Sequence, residues 1–205
     1  MDQKINVSPE AKAFIEHIVA LPKQPGVSLD PVLAKAVEKE AELRRLFAQD
    51  RKNSQLNNPY VGLVDLFDAP QDIRLTRARI VENEEDRSSK YVFPVPDEKR
   101  RKEGELSVVN NIEDFQKNWS IFTEGSLFQL KNWNNVIAAG GSVLACLLPL
   151  SARDGESRRT VRKFYHSAAY PTSDIDLFLW GLTPEQVHIQ RSFEFCILLI
   201  PYENH

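Results

Sequence analysis

Only two cysteines occur in the 205 residues, Cys146 and Cys196, and each sits inside an apolar run. Free cysteines of that kind behave as small buried hydrophobes, which points to a reducing compartment rather than a disulfide scaffold. Neither the cysteines nor the four histidines fall at metal-ligand spacing, so no Cys/His metal site is expected. Long hydrophobic runs are missing too. The N-terminus, Met1-Asp2-Gln3-Lys4, leads into no apolar signal core. The stretch from Phe195 to Pro201 is far shorter than the ~20 residues a spanning helix needs. The expectation is a soluble, intracellular protein with no membrane partner, in cytoplasm or nucleus. Nor is there an excess of one charge, since the formal net charge is −3. That argues against a generally basic nucleic-acid binder while leaving room for a local basic patch.

The 42% of hydrophobic residues supports a core, and the length suits one medium domain or a small domain with an extension. Two regions are expected: a mainly helical one over 1–90, including a charged loop, and a second over 91–205. Ser8-Pro9-Glu10 is a helix start, with serine as cap and proline in the first turn. Ala11, Phe14, Ile15, Ile18 and Val19 follow at helical spacing. Asp30-Pro31 opens a second helix to about Ala48, with Val32, Leu33, Ala36, Val37, Leu43 and Leu46 on one side and a solvated charged face opposite. The alternation over Ile73 to Val81 reads as a strand. Glu82 to Lys90 reads as a charged loop, and Tyr91 to Pro96 as extended because proline disfavours helix before it. The charge run Glu98 to Gly104 reads as a solvated loop, with nuclear import or nucleic-acid contact as the rival. From Ile112 the predicted order is helices over Asp114–Phe122 and Gly125–Leu130, a strand at Val136–Ala139, a Gly-Gly-Ser turn into a helix, a long basic loop, a strand and a helix. Thr183-Pro184-Glu185-Gln186 gives that last helix a capping box. The aromatics Phe115, Trp119, Phe122, Phe128 and Trp133 are expected in the core, with ligand stacking as the rival reading.

Two short groups carry the chemistry. Gly140-Gly141-Ser142 joins the run Val136–Ala139 to the run Val143–Leu148. Glycines let the backbone come close to a phosphate, and Ser142 can cap the helix or bond a phosphate oxygen. The same tripeptide also suits a tight strand-to-helix turn with no ligand. Asp174 and Asp176 stand two apart, so in a strand both carboxylates project from one face while Ile175, Leu177 and Leu179 turn to the other. Side by side they repel unless a cation lies between them, and Mg²⁺ suits such oxygens together with phosphate. A solvent-facing edge strand is the plainer alternative. Taken together, Gly140, Gly141 and Ser142 are candidate nucleotide-phosphate ligands, and Asp174 and Asp176 are candidate catalytic and metal-binding residues.

The segment Ala138 to Leu148, with Ser173-Asp174-Ile175-Asp176-Leu177, resembles the head of the polymerase-beta-like nucleotidyltransferase superfamily. The tRNA CCA-adding and poly(A) polymerases have a similar Gly-Gly block and Asp-x-Asp pair. A wider segment over roughly 91–187 is closer to a group of uncharacterised fungal proteins, some of them in ankyrin-repeat chains. It includes Tyr91 to Pro94, Lys99 to Gly104, Asn118 to Gly125 and Ser173 to Leu182. The resemblance implies an α/β or α+β core, a mixed sheet flanked by helices, and Mg²⁺-dependent transfer of a nucleoside monophosphate from a nucleoside triphosphate to an acceptor hydroxyl on a protein or nucleic acid. Leu144-Ala145 stands where the CCA-type block has Arg-Asp, so a tRNA role is not implied. The superfamily takes a further carboxylate from a later strand, and Glu185, Glu194 and Glu203 match no motif position. A C-terminally truncated core is therefore expected, and its rival reading is a non-catalytic relative acting as an interaction module. Arg153, Arg158, Arg159, Arg162, Lys163 and His166 fall in the basic loop between the motifs, where they read either as triphosphate or nucleic-acid ligands or as a solvated loop.

Overall fold

The computed structural model describes residues 8–22, 29–58, 60–77, 101–130, 132–151 and 154–187. The chain divides into two compact units, Met1–Ser107 and Val108–His205. It mixes helices with a small antiparallel sheet, an α+β class.

In the first unit, α1 spans Pro9–Ala20. Ser8 caps it as expected, its Oγ accepting from Ala11 N at 3.2 Å, and Pro9 opens the first turn, where a missing N–H costs nothing. Ala11 and Ile18 are the buried members of its stripe. Helix α2 spans Asp30–Gln49, again opening on a proline. Its predicted apolar side is only partly covered. Leu46 is buried, whereas Leu33 is 41% and Val37 61% exposed. A single-turn 3₁₀ segment follows at Ser54–Asn57. The strand predicted from Ile73 is not formed over its described part. Gln71–Arg74 makes a 3₁₀ turn, and Leu75 then bridges Leu106 in an antiparallel pair flanked by Thr76 N to Glu105 O and Ser107 N to Arg74 O, both 2.7 Å. Pro70 sets the turn by fixing its own φ at −52° just ahead of it. The predicted loop Glu82–Lys90, the extended Tyr91–Pro96 and the start of the charge run at 98–100 lie outside the described residues.

The second unit opens with α3, Ile112–Phe122, capped by Asn111, whose side chain accepts from Asp114 N at 2.7 Å. Gly125 then takes a left-handed conformation and the chain makes a 3₁₀ turn over Ser126–Gln129, in place of the predicted helix. Strand β1 (Val136–Ala139) leads through Gly140 into α4 (Gly141–Leu147). The predicted long loop is corrected over its second half. Arg158–Lys163 is helix α5, continued by a π turn over Phe164–Ala169. Ser157 and Thr160 make its capping box, so the two orphan donors of the first turn are satisfied reciprocally. Strand β2 (Asp176–Leu179) closes the described sheet against β1, antiparallel, with Val136 opposite Leu179 and Ala139 opposite Asp176.

The core of this unit explains why the segment before β2 must be helical. Ile121 and Phe122 from α3, Ala145 and Cys146 from α4, and Val161 and Tyr165 from α5 and its continuation form one buried cluster. Val161 and Tyr165 are four apart, the spacing that puts two side chains on one helical face. Phe115, Trp119, Phe164, Tyr170 and Ile175 pack around them. The Phe122 and Tyr165 rings meet edge to face at 5.3 Å between centroids, which adds about 0.5–1.5 kcal/mol to the burial itself. Asn118, only 6% exposed, donates from Nδ2 to the Cys146 carbonyl at 3.1 Å. That carbonyl lies in the last turn of α4, where no intrahelical donor reaches it. Burial pushes the Cys146 thiol up to about 12, and burial, with Cys146 and Tyr170 nearby, raises Tyr165 as well. Phe128 and Trp133 depart from their expected core role, being 74% and 40% exposed.

Candidate functional site

The antiparallel register brings the two predicted groups together. Ala139 faces Asp176 across the ladder, so the first residue past β1, Gly140, lies beside the first residue of β2. A Cβ placed on Gly140 would sit 2.7 Å from Asp176 Oδ2. Real Cβ atoms do not approach oxygen that closely, so with a side chain at this position the exposed Asp176 carboxylate would have to swing aside. Gly140 also has φ 83° and ψ −154°, a region that side-chain-bearing residues essentially avoid. Its carbonyl nevertheless accepts from Leu144 N at 3.2 Å and so begins α4. One residue thus turns the strand into the helix and makes room for the acid.

Around this contact the predicted residues fall as follows. Gly140 and Gly141 are exposed, and nothing crowds a Cβ at Gly141. Ser142 is 1% exposed, and its Oγ has no hydrogen-bond partner among the described residues. Asp176 is exposed at the head of β2. Asp174 is exposed as well but precedes the strand, outside the ladder that the i, i+2 spacing presupposed. Ile175 between them still turns inward onto the core, so the alternation continues past the end of the hydrogen bonding. Among the described residues no group of three or more His, Cys, Asp or Glu stands together as a metal cage. Two accessible carboxylates remain a donor set that fits Mg²⁺, which takes one or two from protein and completes its shell with water and phosphate oxygens.

The basic residues are less free than a loop would leave them. Arg162 places both Nε and a terminal nitrogen on Glu124 Oε1, each at 2.6 Å, and His166 Nε2 stands 3.8 Å from the same oxygen. These contacts run from α5 to the turn after α3. Arg158, Arg159 and Lys163 are exposed, and Arg153 lies outside the described residues. At the far end of the unit Thr183 and Gln186 exchange the predicted capping bonds, at 2.9 and 3.3 Å. Glu185, in that first turn, has its carboxyl held below the usual range by its own backbone N–H and by the Thr183 side chain. The predicted strand Cys196–Ile200 lies outside the described residues. Among the described residues no helix is long and apolar enough to cross a membrane.

Two residues near the acids were not singled out from the sequence. Ile137 and Phe178 pair directly across the ladder and are 48% and 54% exposed. Phe178 follows Asp176 by two positions, so the alternation that paired the aspartates already put its ring on their face.

Comparison of the chain with protein-family models, with curated proteins and with solved structures finds no match.

Proposed function

We propose that the second unit is a nucleotidyltransferase-like module that binds a nucleoside triphosphate with Mg²⁺ and passes its nucleoside monophosphate to an acceptor hydroxyl. The observation that carries this reading is the approach of Gly140 to the Asp176 carboxylate, so close that a Cβ at Gly140 would meet Oδ2 at 2.7 Å. A bare backbone turn beside an exposed acid is the arrangement in which phosphate and a carboxylate-bound cation can meet. In this reading Gly140, Gly141 and Ser142 hold phosphates, and Asp174 and Asp176 hold the metal. In the transfer, the acceptor hydroxyl gives up its proton to solvent as its oxygen bonds the α-phosphorus, the bond from that phosphorus to the bridging oxygen breaks, and pyrophosphate leaves. Bound Mg²⁺ would neutralise charge on the phosphates. The protein's share is to keep the turn open and both carboxylates accessible.

Isothermal titration of ATP in Mg²⁺ buffer tests the site. Wild type binds, and the Asp174→Ala/Asp176→Ala protein binds roughly tenfold or more weakly, a loss of about 1.4 kcal/mol per decade. Equal affinity in the two proteins refutes the site. One observation favours a second reading, a non-catalytic interaction module: the Ser142 hydroxyl is enclosed rather than turned to solvent. That reading requires a protein partner whose binding ignores both aspartate changes, with no turnover of labelled nucleotide.

A further inference from the structure

The outer face of the β1–β2 pair breaks the usual pattern. Where an antiparallel pair packs one face on a core, its other face is ordinarily polar. Here the inner face follows the rule, with Val136 7% exposed and Ala138, Leu177 and Leu179 partly covered. The outer face carries Asp176 opposite Ala139 and, one pair further along, Phe178 opposite Ile137. Directly opposed residues share a face, and residues two apart on a strand lie roughly 7 Å from one another on it. An aromatic ring backed by a branched aliphatic side chain therefore lies half-exposed beside the Asp176 carboxylate. An apolar surface set beside convergent polar groups is the composition by which proteins hold amphipathic ligands.

We infer that Phe178 and Ile137 form the platform on which the base of the bound nucleotide stacks, while its phosphates lie at Gly140 and Asp176. This rests on the nucleotide reading above and adds to it a ring subsite on the same sheet face. The position of the ring decides the occupant. A base is joined to its phosphates through one sugar, a span commensurate with the spacing from Phe178 to Asp176. Neither Ile137 nor Phe178 offers a hydrogen-bonding side-chain group, so the platform reads ring area rather than base edges. Stacking of this kind tolerates every base and favours the larger purines.

The test uses the full chain in Mg²⁺ buffer, titrated with ATP, with CTP and with inorganic tripolyphosphate, which has the phosphates but no ring. Wild type should bind ATP more tightly than CTP, and both more tightly than tripolyphosphate. Phe178→Ala and Phe178→Leu should weaken ATP on the order of tenfold and leave tripolyphosphate unchanged. Phe178→Trp should restore ATP affinity, which a fold defect would not allow. Parallel losses of ATP and tripolyphosphate, or an ATP affinity indifferent to Phe178→Ala, overturn the platform. So does a wild type that holds ATP no better than tripolyphosphate in an Asp176-dependent way, and that result spares the phosphate site. A wild type that binds neither ligand removes the phosphate site and the platform together. Sedimentation that shifts from dimer to monomer in Phe178→Ala, with ATP binding untouched, would assign the face to a second copy of the chain and also overturn the platform.

Discussion

Replacing Gly140 with alanine perturbs the one contact on which the site depends. Two costs can be worked from the geometry. The backbone at φ 83° and ψ −154° is held in a region open essentially to glycine, and a residue with a Cβ there is strained by about 1–3 kcal/mol. The new Cβ would also lie 2.7 Å from Asp176 Oδ2, so the carboxylate must leave its place. Asp176 is exposed and can rotate, at a cost of about 0.5–1.5 kcal/mol if it is driven off its rotamer. Gly140→Ala should therefore destabilise the second unit by roughly 2–4 kcal/mol, a large part of the ~5–15 kcal/mol of a typical domain. Asp176→Ala alone removes an exposed side chain and should change stability by no more than about 0.5 kcal/mol. In the double variant the steric cost disappears and the backbone strain stays. Its destabilisation should fall short of the sum of the single effects by about 0.5–1.5 kcal/mol. Urea denaturation followed by tryptophan fluorescence reads this directly, because Trp119, Trp133 and Trp180 all lie in the second unit. Additive effects, or a neutral Gly140→Ala, would show that the turn and the acid do not touch.

Two further outcomes test the core under the site. Asn118→Leu keeps the volume but removes the donor to the Cys146 carbonyl in the last turn of α4, and should cost about 1–3 kcal/mol in the same denaturation assay; an unchanged midpoint would show that α3 and α4 are not joined there. The Cys146 thiol titrates near 12 in the fold against 9 unfolded. A group whose folded pKa is raised contributes its stability in full below the unfolded value and loses it as pH rises through the window from 9 to 12. By pH 10.5 the loss is about 2 kcal/mol, from ~1.4 kcal/mol per unit. Thermal melts from pH 8 to 10.5 should therefore fall more steeply in wild type than in Cys146→Ala, and parallel curves would refute the burial argument.

What the sequence disclosed, and what it hid, follows from the range of the interactions involved. The starts of α1 and of the helix at Thr183 were legible because capping chemistry is local: serine or threonine and the donor it serves lie within three residues, and α2 was marked by the proline in its first turn. The Val136–Ala139 strand and the glycine turn were legible for the same reason. The segment after Leu150 was misread because six basic side chains dominate its composition. Its decisive signals were quieter, the Ser157–Thr160 box and the four-residue step from Val161 to Tyr165. The strand predicted from Ile73 is not formed over its described part, for a different reason. Leu75 bridges only Leu106, about thirty residues away in sequence, and alternation cannot say how much partner backbone will be at hand.

The site shows the same division. That Asp176 and Phe178 share a face follows from strand periodicity alone. That Gly140 lies against Asp176 does not, since it needs the register that sets Ala139 opposite Asp176. A shift of one residue would turn Asp176 toward the core and Leu177 toward the solvent. The inner face resists that shift, because Leu177 and Leu179 would both lose their cover and Val136 its apolar partner. Apolar packing on one side of two short strands thus fixes where the acid stands on the other. The chemistry proposed for Asp176 depends on Val136 and Leu179 as directly as on its own carboxylate.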